Sequence, residues 1–227
     1  MDPSIETTEA SPKDGHLREA ESAGEQAETG HPLPPKVVTR GVRAIDQMRR
    51  LIDDLLDVAR IDSGTLVVAR APLEVAALVR DAAEQHVALA GEKGLSLSVE
   101  CVEGLHIDGD RDRLMQLVGN LIGNAIKFTP AGGRIVLGCA RRHDAIHVSV
   151  TDSGPGVPTD SRAHVFDRFY QSSRRKDGVG LGLAIAKGIV DAHGGRIGVE
   201  GAEPAGARFW FDLPARGAPR YVGGAPS

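Results

Sequence analysis

Aromatic residues make up only 4% of this 227-residue chain, and cysteine occurs just twice. Cys101 and Cys139 lie far apart in the sequence, without a CxxC pair or a Cys/His metal spacing. We therefore expect neither a disulfide nor a zinc site, and we expect a reducing compartment, the cytoplasm.

An excess of charge of one sign and long apolar runs are also missing. The net charge is −4 with acidic and basic residues interspersed, so nothing predicts nucleic acid as a partner. No apolar run approaches the roughly 18 residues of a membrane span, and the N-terminus has no signal-peptide core. These absences predict a globular chain with no membrane segment.

The composition changes along the chain and suggests four regions. Residues 1–35 are rich in Ser, Glu, Gly and Pro, which predicts disorder. Residues 36–64 carry a seven-residue apolar repeat that predicts one amphipathic helix. This helix either packs in a dimerisation bundle, as its wide apolar face favours, or lies on a globular core. Residues 215–227 have no period and are predicted to be a loose tail.

Residues 70–214 mix helical and strand patterns without a regular βαβ alternation. Apolar spacing predicts helices over Leu73–Lys93, Arg111–Phe128 and Leu183–His193. Alternating segments predict strands at "LSLSVEC", "RIVLGC", "AIHVSV", "GRIGVE" and "ARFWFDLP". The pattern predicts an α+β fold, a two-layer α/β sandwich with helices on one face of a sheet.

The predicted helix Arg111–Phe128 contains glycine and asparagine in its interior, where both residues lower the stability of a helix. Each glycine costs about 1 kcal/mol relative to alanine, so we expect Gly119 and Gly123 to allow another backbone to approach closely. Asn120, Asn124 and Lys127 share one face. Amide oxygens can complete the oxygen shell of Mg²⁺, and a lysine can bind a phosphate.

A glycine-bearing loop follows a predicted strand in "VTDSGPGVP". Asp152 ends the strand, and Gly154 and Gly156 allow a tight turn. The motif alone could be a simple turn. A buried carboxylate there could instead accept a hydrogen bond from an exocyclic amine such as that of adenine.

A second glycine loop, "DGVGLGLAIAKGIV", runs directly into a predicted helix. Helix N-termini preceded by glycines bind anions, so phosphate is the expected ligand. The loop follows polar residues rather than a strand, which excludes a dinucleotide-binding fingerprint. It also lacks the Gly-Lys-Ser/Thr ending of a P-loop.

In this order, "NLIGNAIKF", "DSGPG", "FDRFY" and "GVGLGLAIAK" resemble the N, G1, F and G2 boxes of sensor histidine kinases. "RLIDDLLDVARIDSG" resembles the end of that family's second dimerisation helix. The wider family includes gyrase, MutL and Hsp90-type ATPases. The resemblance implies a Bergerat ATP-binding fold over residues 70–214, preceded by a single dimerisation-type helix, with ATP and Mg²⁺ as cofactors.

By position, the resemblance implies that Asn124 and Asn120 bind Mg²⁺, with Asn124 the main ligand, and that Lys127 assists at the phosphates. Asp152 would bind the adenine amino group. The other residues implied to line the nucleotide site, its lid and the box flanking that lid are Phe128, Gly154, Gly156, Phe166, Arg168, Phe169, Arg174, Arg175, Gly178, Gly180, Leu181, Gly182 and Leu183.

The resemblance also indicates a reaction. ATP-hydrolysing relatives carry a glutamate general base where this chain has Asn120, and an amide cannot take a proton from water. The kinase branch instead transfers the γ-phosphoryl group to a protein histidine for relay to a response regulator. No His-Glu/Asp-Leu-Arg-x-Pro box occurs in the sequence, and His16 and His31 are weak candidates for the acceptor.

The missing box leaves three hypotheses open. The first is the catalytic part of a histidine kinase, which would pair with a second copy or with another kinase's dimerisation hairpin. The second is an ATP-binding module that regulates a partner by docking, without phosphotransfer. The third is an anti-sigma-factor type serine kinase, against which the dimerisation-type helix argues.

Overall fold

The computed structural model describes residues 35–171 and 179–217, and the chain divides into two compact units, residues 1–51 and 52–227. Helix α1 (Pro35–Asp62) confirms the predicted amphipathic helix. In the first unit, Ile45 and Met48 on this helix are 67% and 61% exposed. The disorder predicted for residues 1–35 falls outside the described residues, except for Pro35, which begins the helix.

The second unit holds the remaining helices and strands. They are β1 (Ala71–Glu74), α2 (Val75–Glu92), β2 (Ser96–Cys101), β3 (His106–Gly109), α3 (Arg111–Phe128), β4 (Arg134–Arg142), β5 (Ala145–Asp152), a short 3-10 turn (Thr159–Ser161), α4 (Gly182–Ala192), β6 (Arg196–Gly201) and β7 (Ala207–Pro214). The main sheet has the strand order β2-β4-β5-β7-β6, with β2 and β4 parallel and the other pairs antiparallel. The predicted α+β two-layer fold is confirmed.

A small ribbon was not expected from the sequence. β1 pairs with β3 as a two-stranded antiparallel sheet, so residues Leu73 and Glu74 belong to a strand rather than to the predicted helix. Helix α2 begins at Val75, whose N–H donates to the Leu105 carbonyl at 2.9 Å. Four-residue strands are too short to show a period, and here their pairing overrides local helix propensity.

Helix α3 is fixed by its apolar face. Leu114, Leu117, Leu121 and Ile122 have no exposed surface, and they pack in one cluster with the inward residues of the sheet, among them Leu137. Each such side chain stabilises the fold by about 1.5–3 kcal/mol relative to its exposed state. Because this face is fully buried, the direction of the opposite, polar face of α3 is also determined.

Membrane crossing is not supported by the described residues, since none of their helices has both the length and the apolar character that it requires.

Candidate nucleotide-binding site

Both ends of helix α3 are held in place. At its start, the Asp110 carboxylate accepts the Arg113 N–H at 3.2 Å as an N-cap. At its end, the hydroxyl of buried Thr129 donates to the Ala125 carbonyl at 2.7 Å, and the Lys93 ammonium donates to the Lys127 carbonyl at 2.8 Å. These contacts hold the last turn of α3, which carries the predicted phosphate-binding lysine.

The asparagine face of α3 meets the start of helix α4. The Asn120 Nδ2 donates to the Gly182 carbonyl at 3.0 Å. Asn124 is half-buried one turn further on, and the Lys127 Nζ lies 5.0 Å from the centre of the Phe128 ring. The structure thus joins the first and the last of the four motif segments, which are separated by 62 positions.

The glycines of α3 do not act as expected. A Cβ added at Gly119 would lie 3.5 Å from the His86 Cε1, an ordinary van der Waals distance, and one added at Gly123 would have no atom within 4 Å. Within residues 35–171 and 179–217, no other backbone lies within 4 Å of the added Cβ of either glycine. The described part of the chain therefore does not show the expected close approach of a backbone.

The Asp152 carboxylate is buried at the end of β5. Its side chain accepts the Gly154 N–H at 2.8 Å and the Ala207 N–H at 3.4 Å, and the residue is only 5% exposed. Burial raises the pKa of Asp152, and the two N–H donors oppose this shift. A buried carboxylate with spare acceptor capacity suits a ligand that presents N–H groups.

Two positions in the loop after Asp152, Gly154 and Gly156, leave no room for a Cβ. A Cβ at Gly154 would lie 2.8 Å from the Asp152 Oδ1 and 3.2 Å from the Phe128 carbonyl oxygen. Gly156 has a φ of +74°, and its added Cβ would lie 2.8 Å from the Gly206 carbonyl oxygen. These close approaches bring the loop against the C-terminal end of α3 and against the start of β7.

The start of α4 is prepared for an anion. Gly180 has a φ of +77°, and its carbonyl accepts the Phe169 N–H at 3.0 Å. Leu181 is 2% exposed and anchors the turn, while Gly182 is the first helical residue and Leu183 packs against the core. Among the described residues, no side-chain hydrogen bond caps this end of the helix. An uncapped helix start suits the binding of a phosphate.

The side chains of the "FDRFY" segment lie in different environments. Phe166 packs edge-to-face on Phe209 with ring centres 6.4 Å apart, whereas Phe169 is 59% exposed with a φ of +58°. Arg168 pairs with the Asp62 carboxylate at the end of α1. The segment is thus fixed at Phe166, and its backbone is joined to the glycine turn before α4.

Several predicted residues fall outside the described part of the chain. They are His16, His31, Arg174, Arg175 and Gly178. Their expected roles stay predictions.

Sequence reasoning missed one cluster on the polar face of α3. Asp57 of α1 is 4% exposed. It accepts hydrogen bonds from the Arg113 Nη1 at 2.8 and 2.9 Å and from the Gln116 Nε2 at 2.7 Å. The helical spacing of the sequence puts Arg113 and Gln116 on the same face as Asn120 and Asn124. Only the position of Asp57 shows that the first half of this face binds α1. A signal was present in "LIDDLLDVAR", where Asp57 interrupts the apolar pattern.

No cluster of three or more His, Cys, Asp or Glu side chains that could hold a metal occurs within residues 35–171 and 179–217. A metal held by Asn120 and Asn124 would be bound through their amide oxygens and the oxygens of the nucleotide. Mg²⁺, which is usually bound by few protein groups plus phosphates and waters, fits that donor set.

Comparison with known proteins gives a consistent result. The model of the histidine kinase-, DNA gyrase B- and HSP90-like ATPase family matches residues 109–217. Sensor protein DivL of Caulobacter vibrioides is 40% identical over 172 residues, which cover 75% of this chain and 22% of DivL. The structure of full-length ShkA in complex with AMPPNP is 34% identical, with a TM-score of 0.71, and the match covers 82% of this chain and 39% of ShkA. The catalytic domain of histidine kinase ThkA is 30% identical with a TM-score of 0.60, over 64% of this chain and 95% of that domain.

The chain belongs to the sensor histidine kinase family and carries its ATP-binding domain. It spans only part of its relatives, 22% of DivL and 39% of ShkA.

Proposed function

We propose that this chain binds ATP with Mg²⁺ and transfers the γ-phosphoryl group to a histidine on a dimerisation hairpin, from which a response regulator takes it. Membership of the sensor kinase family supports the proposal. The observation that most supports the proposal is the hydrogen bond between Asn120 and the Gly182 carbonyl. This bond brings the amide face of α3 next to the start of α4, where we expect the phosphates to bind.

Each part of the nucleotide would have its own partner. The Asp152 carboxylate would accept the adenine amino group, since burial excludes competing water and leaves acceptor positions free. The N–H groups at the start of α4 would bind the phosphates. Asn124 would hold Mg²⁺, and Lys127 would lie nearest the phosphates. Bound Mg²⁺ would neutralise charge on the transferring phosphoryl group.

Asn120 favours a kinase over a hydrolase. Its amide donates to a carbonyl oxygen at 3.0 Å, a contact that an ionised glutamate could not make because it has no proton to donate. An amide also cannot act as a general base for water. The chain would therefore position ATP for an incoming nucleophile instead of activating water.

The acceptor histidine would lie on a hairpin outside the ATP-binding domain. Exposed apolar residues of α1 in the second unit, Ile52, Leu55 and Leu56, are each at least 50% exposed and suit packing in a helical bundle. A second copy or the hairpin of another kinase is the expected partner.

The test is incubation with γ-labelled ATP and Mg²⁺, first with the chain alone and then with a separately purified dimerisation hairpin that carries an H-box histidine. Label that is acid-labile and alkali-stable is expected on the hairpin, and a His→Gln hairpin should remain unlabelled. Label on the chain itself would direct attention to His16 and His31.

The docking-module alternative rests on the absent H box. It predicts ATP binding with no label on any hairpin offered, including one supplied in excess. That outcome, with tight ATP binding in the same preparation, would reject phosphotransfer and retain the ATP-binding assignment.

A further inference from the structure

The two cysteines, distant in sequence, are neighbours in the sheet. Cys101 is the last residue of β2 and lies opposite Cys139 of β4 in the parallel register. Adjacent strands lie about 4.8 Å apart, which falls within the Cα separation of about 4.4–6.8 Å that disulfides span. Along each strand the exposure alternates, and Cys101 and Cys139 both fall on the buried side. Their side chains therefore share one face of the sheet.

Both cysteines are free thiols, and the Cys139 thiol donates a hydrogen bond to the Val102 carbonyl at 3.6 Å. A hydrogen bond from the Cys101 thiol lowers the pKa of Cys139, and the same contact raises the pKa of Cys101. Of the two thiols, Cys139 is therefore the one that ionises more readily.

A small oxidant can reach this pair from the edge of the sheet. β2 is an edge strand, Cys101 is half-buried at its end, and the next residue, Val102, is 55% exposed. Cys139, on the neighbouring strand, is 3% exposed. Bulky oxidants should therefore react more slowly than hydrogen peroxide.

We propose that Cys101 and Cys139 form a reversible disulfide when the folded protein meets hydrogen peroxide. The Cys139 thiolate attacks the peroxide O–O bond, which breaks to leave Cys139 sulfenic acid and hydroxide. Cys101 loses its proton to that hydroxide, giving water, and its sulfur attacks the sulfenic sulfur. The S–S bond forms as the S–O bond breaks, and the leaving hydroxide takes up the proton that Cys139 released to solvent on ionisation, giving a second water. Two thiols are oxidised and one peroxide is reduced to two waters.

The cross-link would enclose the nucleotide-binding helix. The loop closed between Cys101 and Cys139 contains β3 and the whole of α3, from Arg111 to Phe128. Closing a loop of this length removes conformational freedom mainly from the unfolded chain. Oxidation should therefore raise the melting temperature, by about 10 °C, if the bond forms without strain.

The test uses the whole folded chain with stoichiometric hydrogen peroxide, followed by intact mass and peptide mapping. Because the sequence has only two cysteines, an intramolecular disulfide can have one connectivity only. The expected result is a mass loss of about 2 Da and a Cys101–Cys139 cross-linked peptide in the monomer, with both reversed by dithiothreitol. The melting temperature is measured on the same samples.

Two variants serve as controls. Cys101→Ser should stop at sulfenic acid on Cys139, which appears as a gain of about 16 Da in the intact mass. Glu100→Cys combined with Cys101→Ser moves the thiol by one residue to the opposite, exposed face of β2 and should cross-link about tenfold more slowly. Oxygen adducts without a cross-link in the native chain, disulfide-linked dimers, or equal rates in the displaced-thiol variant would each overturn the proposal.

Discussion

Replacing the buried carboxylate with an amide, Asp152→Asn, should separate nucleotide binding from stability. The Asp152 Oδ1 already accepts two backbone N–H groups, from Gly154 and Ala207. An asparagine that keeps those bonds must turn its NH₂ group toward the ligand. That donor would then face the donor amine of adenine, so the site would lose an acceptor and gain a repulsive contact.

The size of the binding loss follows from the hydrogen bond that disappears. A hydrogen bond to a charged group contributes about 1.5–3 kcal/mol, which corresponds to a loss in affinity of about 10- to 150-fold. The facing donors would add to this loss. Isothermal titration with ATP and Mg²⁺ measures it directly. The matched control is Asp144→Asn, an exposed carboxylate just before the opposite end of β5, which should leave affinity unchanged.

Although Asp152→Asn should weaken ATP binding, it should increase the stability of the fold. The folded-state pKa of Asp152 is raised by burial, so its ionised form is disfavoured in the folded protein and that cost is present above the folded pKa. At pH 7 the neutral asparagine avoids the cost, and the variant should melt at a higher temperature than the wild type. As the pH falls through the raised pKa and then below the unfolded value, the wild-type carboxyl becomes protonated and the difference should vanish.

Asp152→Asn should therefore show both weaker ATP binding and a higher melting temperature at pH 7. ATP affinity should also fall in the wild type as Asp152 becomes protonated, because the neutral acid is a poorer acceptor for the adenine amine. If Asp152→Asn binds ATP as tightly as the wild type, Asp152 does not contact the nucleotide. If the variant melts at a lower temperature at pH 7, burial is not the dominant influence on this carboxylate.

Three further substitutions test other parts of the site. Asn124→Ala should weaken ATP binding by about tenfold with Mg²⁺ present and leave it unchanged in EDTA, as titrations in both buffers would show. Gly206→Ala would put a Cβ 1.8 Å from a carbonyl oxygen of β5 and should destabilise the fold by about 2–4 kcal/mol in urea; Gly104→Ala, at positive φ in open space, should cost about 1 kcal/mol. Asp57→Ala leaves a partly exposed guanidinium without its carboxylate and should cost about 2 kcal/mol, whereas exposed Asp53→Ala should change stability by less than about 0.5 kcal/mol.

The sequence predicted those parts of the molecule whose signal is local. Helices and strands long enough to show a period were found, and the loops around Asp152 and Gly182 were located through their glycines. The strand β1 and its partner β3 were missed because four residues do not establish a period.

Contacts between distant residues could not be found in this way. The polar face of α3 appeared uniform in the sequence, yet Arg113 and Gln116 bind Asp57 of α1 while Asn120 binds Gly182 at the start of α4. The register that sets Cys101 against Cys139 likewise depends on which strands pair. The packing of the whole core, and not the sequence of any single segment, determines which helices meet and which strands pair.

Replacing a glycine by alanine should have opposite effects on stability in the interiors of α3 and α4. Gly123 has no atom within 4 Å of an added Cβ, whereas at Gly188 the Cβ would lie 2.4 Å from the Ile61 Cδ1 and 2.6 Å from its Cγ1. Gly123→Ala should therefore raise the free energy of unfolding by about 0.5–1 kcal/mol, the full helix-propensity gain.

Gly188→Ala has the same propensity gain but must displace Ile61, which packs the end of α1 onto α4. We expect a net loss of about 1–2 kcal/mol. Truncating the isoleucine as well, in a Gly188→Ala and Ile61→Ala double variant, should remove the clash and make the two changes non-additive. Urea unfolding of the four proteins of this cycle measures the coupling. A coupling near zero would show that Gly188 is not kept small by Ile61, and it would remove the packing reason for a glycine at that position.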